Sequence, residues 1–237
     1  SLKMYHKYFR YSLFKVFSVI ILSKLCNMKI DIVAATALEL EAIKKYHFAK
    51  HEVRMHTHGI GMMAAIFQLL KIAESSPDLI IQCGIAGTYL PEIKIGSTVL
   101  VAEEVTDVGA EDDQHLLDLF DLKFIEKNDA PYQNGVLPCP FLSTLSLNLP
   151  IVKGLTVNSA SGSDSTIEKR IKKFGASIET MEGAALHYVG LMTQTPFLQI
   201  RTISNWVEKR HKENWNIPLA LENNVAVVKN ILDHIEP

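Results

Sequence analysis

From Met28 onward the apolar positions fall into two alternating kinds of run. Short β-branched stretches predict buried strands over Lys29–Ala35, Glu52–Thr57, Asp78–Cys83, Ser97–Ala102, Gly154–Ala160 and Pro196–Ser204. Between them, apolar residues recur at helical spacing. Ala37–Tyr46 reads as a helix, and so does Met62–Ser75, with Ile66, Leu69, Leu70 and Ala73 on its apolar side. A helix over Asp164–Phe174 has its N-cap at Ser163 or Asp164. A short strand from Ile178 runs into a helix over Glu182–Met192. The last helix opens at Pro218 and carries Leu221, Val225, Val228, Leu232 and Ile235 in one stripe. Strands alternating with helices predict an α/β fold around a central parallel or mixed sheet. No repeat or linker interrupts it, so residues 28–237 are expected to form one domain.

Residues 1–27 read differently. They hold five Lys or Arg and no acid around an apolar run from Val16 to Leu22. That run is too short to span a bilayer. Leu25 and Lys24 before Cys26 are not the small residues of a cleavage site. Residues 1–2 are expected to be a cloning remnant, and 3–27 an extension upstream of a natural start at Met28. A helix with Phe9, Leu13, Phe17 and Ile20 on one face is expected there.

Charge narrows the class. The chain has 24 basic and 26 acidic residues, but from Met28 on the count is 19 against 26, a net charge of −7. That excludes a nucleic-acid binder relying on a basic face. Cys26, Cys83 and Cys139 are too few and too scattered for a disulfide framework or a zinc site, which fits a reducing compartment and a cytoplasmic location. Residues 103–121 hold eight acids and no Lys or Arg, in a spacing that matches no calcium loop. They are expected to form a solvated or interface-lining segment. Residues 128–150, with four prolines, read as a long connection. His56, His58 and His187 have no metal-motif spacing and read as packed or hydrogen-bonded residues.

In open α/β sheets, sites gather at the carboxyl ends of strands. That rule selects Glu39, His58-Gly59-Ile60-Gly61, Gly84-Ile85-Ala86-Gly87, Ser161-Gly162, Met181-Glu182 and Asn205. The glycine-bearing segments read as strand-to-loop turns and match neither a dinucleotide nor an ATP loop. Two carboxylates and an amide converging there suit a polyhydroxylated substrate with a heterocycle. One carboxylate activates water, the other accepts bonds from vicinal hydroxyls, and the amide both donates and accepts.

The runs MKIDIVAATALELEAI, HGIGMMAA, CGIAGTY, TMEGAALHY and QIRTISN resemble the purine nucleoside phosphorylase and nucleosidase superfamily. They are most similar to the bacterial methylthioadenosine/S-adenosylhomocysteine nucleosidases and the futalosine hydrolases. The resemblance implies a three-layer phosphorylase/hydrolase-like fold, with a central mixed β-sheet flanked by helices. It implies that Glu39 orients or deprotonates the attacking water, and that Met181 and Glu182 lie under the ribose. It puts Asn205 against the purine, Ser161 and Gly162 in the purine-stacking loop, and Gly84 and Ile85 among the substrate-binding residues. No metal or organic cofactor is implied. A homo-oligomer is, with a neighbour's loop completing the 5′ pocket, for which the acidic segment 103–121 is the candidate.

Two departures choose among the subfamilies. Phosphorylases carry an arginine where this chain has Gln82, so a phosphate co-substrate lacks its clamp and water is the expected nucleophile. Asn205 stands where adenine nucleosidases carry an aspartate. An amide cannot protonate adenine but can bind a 6-oxopurine such as hypoxanthine. The stretch Asn205–Arg210, continued by Trp215–Ala220, also resembles futalosine hydrolases. Trp206 or Trp215 is expected to stack on the 5′ aryl group of futalosine, and Arg210 or Arg54 to pair its carboxylate. The expected activity is release of hypoxanthine from futalosine, a step that the resemblance connects with menaquinone synthesis. The alternatives are an adenine nucleosidase, a phosphorylase, and a non-catalytic nucleoside-binding protein on the same fold.

Overall fold

Ile30, Ile32 and Val33 have no exposed surface, because the strand that carries them is covered on both faces. This is β1 (Lys29–Ala34) of a computed structural model that describes residues 27–144, 148–209 and 211–235. The expected helix in residues 1–27 lies outside the described residues. The elements that follow are α1 (Ala37–Glu41), β2 (Glu52–Thr57), α2 (Met62–Glu74), β3 (Leu79–Thr88) and β4 (Thr98–Thr106). Next come β5 (Gly109–Glu111), β6 (Leu116–Asp118), β7 (Leu137–Pro138), β8 (Ile151–Thr156), α3 (Asp164–Phe174) and β9 (Ile178–Thr180). The chain ends in α4 (Gly183–Thr193), β10 (Phe197–Trp206) and α5 (Ile217–His234).

The main sheet is mixed, in the order β10-β4-β8-β9-β3-β1-β2. Because β10 pairs with β3 as well as with β4, five strands close into a ring from which β1 and β2 extend. Helices α2 and α4 pack together on one side, and α5 covers β10 and β3 on the other. The main apolar core lies between these layers, built on Ile30, Leu79, Ile81, Leu186, Phe197 and Val228. No helix among the described residues is long and apolar enough to cross a membrane. Cys83 and Cys139 are buried and free.

Several sequence expectations are corrected. The segment Gly84–Gly87 is not a turn: β3 continues through it to Thr88, paired with β10 throughout. The helix expected over Ala37–Tyr46 breaks into α1 and a 3₁₀ turn at Ile43–Lys45. Strand β8 occupies Ile151–Thr156, and the chain leaves the sheet before Ala160. On α2 the buried residues are Ala65, Leu69, Ile72 and Ala73, while Leu70 is 43% exposed. The acidic run is not uniformly solvated. Glu103 and Glu104 belong to β4, and Glu104 is fully buried. Beyond them the acids are clasped by α3: Lys169 donates to Glu111 at 2.7 Å, and Lys173 reaches Asp118 at 2.9 Å.

Candidate active site

Strands β1, β3, β9 and β10 end around a cavity of about 310 Å³. Of the residues expected there, Glu39, Ile85, Ser161, Met181, Glu182, Asn205 and Trp206 line it, together with Trp215. Gly84 and Gly162 do not, and Arg210 lies outside the described residues. Arg54 is committed elsewhere: its guanidinium grips Asp31 through bonds of 2.8 and 2.6 Å, beside His56. The lining also includes Glu179 and Glu208, so four carboxylates and no Lys or Arg face the cavity among the described residues.

Glu39 is oriented by the start of its own helix. The backbone N–H and hydroxyl of Thr36 each donate 2.9 Å bonds to its Oε2. Among the described residues its Oε1 has only a long 3.4 Å contact, from the Ile85 N–H. Gly84, behind it, has φ +150, and a Cβ there would stand 2.5 Å from Glu39 Oε1 and 2.8 Å from Arg201 Nη1. Only glycine lets the carboxylate and the guanidinium approach the strand together.

Arg201 is 1% exposed and sits behind the cavity wall. Its Nη2 donates to Gln82 Oε1 at 2.6 Å. Gln82 passes the order on, because its amide N–H donates to His58 Nε2 at 3.0 Å. His58 holds its proton on Nδ1, which donates to the Gly59 carbonyl at 2.8 Å. Burial lowers His58 to about 4, so it stays neutral and its Nε2 can accept. Glu182 accepts the Gly61 N–H at 2.9 Å. Burial raises its pKa, and the Arg201 charge and the Gly61 bond work against that rise.

Behind Glu182 lies a second buried carboxyl, Glu104, which contacts the Gln199 amide and the Thr156 hydroxyl at 2.9 Å each. Burial pushes it up to about 7. Among the described residues, His187 Nε2 and Gln199 Oε1, like Arg201 Nε, are buried without partners. Half a turn of the Gln199 amide changes what it offers to both neighbours. Its N–H then turns towards the His187 side, and its carbonyl accepts the proton of a neutral Glu104. Because the folded state holds that proton from its ordinary value of 4.5 up to about 7, stability falls as pH rises through this window. Glu104→Gln removes that loss. In urea titrations the variant should gain on the parent between pH 5 and pH 8, by up to about 3 kcal/mol. An identical pH dependence in both proteins would refute a protonated Glu104.

At the far end, β10 carries an irregularity between Ile203 and Asn205 that brings Asn205 opposite Gly87. The Asn205 Oδ1 accepts the Ser204 hydroxyl at 2.7 Å, and its amide N–H donates to the Trp206 carbonyl at 2.8 Å. Glu104 and Glu179 are not singled out from the sequence, and Arg201 enters only as part of the run QIRTISN, with no role. A signal existed for Arg201: one cation inside the apolar run Phe197–Ile203 must be buried, and a buried cation needs partners. For the two glutamates no local signal distinguishes them from surface acids.

A family model described as Phosphorylase superfamily matches residues 29–235. The chain is 30% identical to a futalosine hydrolase of Thermus thermophilus over 179 residues, covering 73% of this chain and 78% of that protein. It is 28% identical to a 5′-methylthioadenosine/S-adenosylhomocysteine nucleosidase of Maridesulfovibrio salexigens, over 78% of this chain and 82% of that one. The fold is shared with the Streptococcus pneumoniae MTA/SAH nucleosidase solved with 8-aminoadenine. That match has a TM-score of 0.74 at 20% identity, covering 88% of this chain and all of the other.

Proposed function

The chain belongs to the phosphorylase superfamily and is a nucleosidase, and we propose that it hydrolyses the N-glycosidic bond of futalosine to release hypoxanthine. The cavity wall carries this reading: four carboxylates and no cation line it among the described residues. Such a wall repels a phosphate dianion and suits water as the nucleophile. Glu39, fixed through Oε2, takes the proton of the attacking water on Oε1. Glu182 accepts bonds from the ribose hydroxyls and steadies the oxocarbenium-like transition state, with Met181 beside it. Asn205 meets the base with an amide, which complements a 6-oxopurine, and Ile85 and Ser161 complete the wall. Trp206 and Trp215 serve the aryl end, and Arg210 is assigned to its carboxylate from the sequence alone.

A homo-oligomer belongs to the same reading. Met63, Phe67 and Leu70 on α2, with Tyr188 and Met192 on α4, leave an apolar face 39–88% exposed. A groove along it is lined by Met181 of the ribose site and by Val108 and Leu119 of the acidic segment. A second copy covering that face would close the 5′ end of the site.

The test is incubation of the purified protein with futalosine in phosphate-free buffer. Hypoxanthine should appear, and methylthioadenosine should remain intact. Release that requires phosphate would mean a phosphorylase. Adenine from methylthioadenosine with no turnover of futalosine would mean the adenine nucleosidase reading, which the Maridesulfovibrio salexigens relative favours. Binding without turnover would mean a non-catalytic binder.

A further inference from the structure

We propose that Glu179 is a positioning residue for the leaving base, holding the loop at Ser161 as one wall of the base slot; this rests on the nucleosidase reading. The register carries the argument. Gly87 of β3 is paired with Glu179 of β9 on one side and with Asn205 of β10 on the other. Directly paired residues present their side chains to the same face of a sheet, so Glu179 and Asn205 flank a position that has no side chain. A Cβ at Gly87 would come within 2.8 Å of Val207 and 3.2 Å of the Asn205 amide nitrogen. The glycine therefore lets Val207 and the Asn205 amide close onto the strand, in the same cavity wall that Glu179 lines.

Glu179 makes that wall rigid. It is 7% exposed and lines the cavity. Its Oε1 accepts the Ser161 backbone N–H at 2.8 Å. Its Oε2 accepts the Ser161 hydroxyl at 2.5 Å, the Tyr89 hydroxyl, and Arg170 Nη1 at 3.4 Å. Arg170 holds the same loop from behind, donating to the Ser159 carbonyl at 3.0 Å and to Ser161 Oγ at 2.7 Å. Its other arm is anchored on Asp107 at 2.5 Å. Four donors converge on one side chain, and only a carboxylate, which accepts on both oxygens and donates nothing, satisfies them together. Every bond from Glu179 to the loop ends on Ser161. The loop would otherwise be a glycine-flanked surface segment free to move away from the base.

The experiment compares Glu179→Gln with the parent by competitive inhibition and by hypoxanthine release. Glutamine keeps the size but turns one acceptor into a donor facing the Ser161 donors. Inhibition by free hypoxanthine should weaken about tenfold or more, and kcat/KM should fall with it. Inhibition by ribose, which engages the Glu182 end, should stay unchanged. Equal weakening of both inhibitors would reveal general loosening of the fold and overturn the proposal, as would unchanged hypoxanthine inhibition. If Glu179→Gln does not fold, Ser161→Ala decides, since it removes one hydroxyl and leaves Glu179 paired with Arg170 and Tyr89. It should weaken hypoxanthine inhibition selectively by about threefold, and no change would overturn the proposal. Base release by the parent checks the nucleosidase reading separately, and the selectivity between the two inhibitors checks Glu179.

Discussion

Glu39→Gln should lower kcat for base release by about 10²–10⁴-fold, with KM held within about threefold. The amide carbonyl keeps the bonds from the Thr36 N–H and hydroxyl, so the side chain stays where it is. What is lost is the second oxygen. In the parent it has one long contact to the Ile85 N–H and so has capacity to take a proton. In the variant an NH₂ stands there and cannot. A loss confined to kcat marks an interaction made in the transition state rather than in substrate binding. Steady-state kinetics with futalosine measure it. Turnover within about threefold of the parent would remove Glu39 from the role of base, and a raised KM at unchanged kcat would make it a binding residue.

Arg201→Met should have the largest effect on stability. Arg201 works against the rise that burial imposes on Glu182 and Glu104, and it approaches Glu39 across Gly84. Methionine fills similar space but leaves Glu182 in a dry interior without a nearby positive charge, and leaves Gln82 Oε1 without its donor. Removing one partner from such a buried cluster costs about 3–5 kcal/mol. For a chain of this size that lowers Tm on the order of 10 °C. The deficit should shrink at pH 5, because protonation of the carboxylates relieves the uncompensated charge. Thermal melts at pH 7 and pH 5 test both statements. A Tm within about 2 °C of the parent at pH 7 would show that Arg201 does not balance the site.

Periodicity alone determined a great deal here. Helix α3 was legible to the residue because Ser163 caps it and Gly175, at φ +56, ends it. Strand β2 was equally clear, as was the stripe of α5, whose Val225, Val228 and Leu232 are buried. Glu39, Glu182 and Asn205 were legible because strand ends in α/β sheets converge on one region and those three have polar side chains there. What misled was glycine. A run such as Gly84–Gly87 signals a turn when only local conformational freedom is considered. In the folded chain those glycines lie within β3 and make room for neighbouring strands and side chains.

The sequence by itself determined the α/β class and the course of several elements, and it placed Glu39, Glu182 and Asn205 at strand ends. The class and the elements follow from periods of two and 3.6 and from local capping chemistry, the polar residues from the convergence of strand ends. Only the tertiary structure decided that Arg201 is the buried counter-charge of the site, that Glu104 lies behind Glu182, and that Glu179 and Asn205 flank Gly87. Those facts depend on which strand lies beside which, a pairing between residues as far apart in sequence as Gly87 and Asn205. A lone acid or arginine on a strand carries no local mark of the neighbour that the sheet will give it.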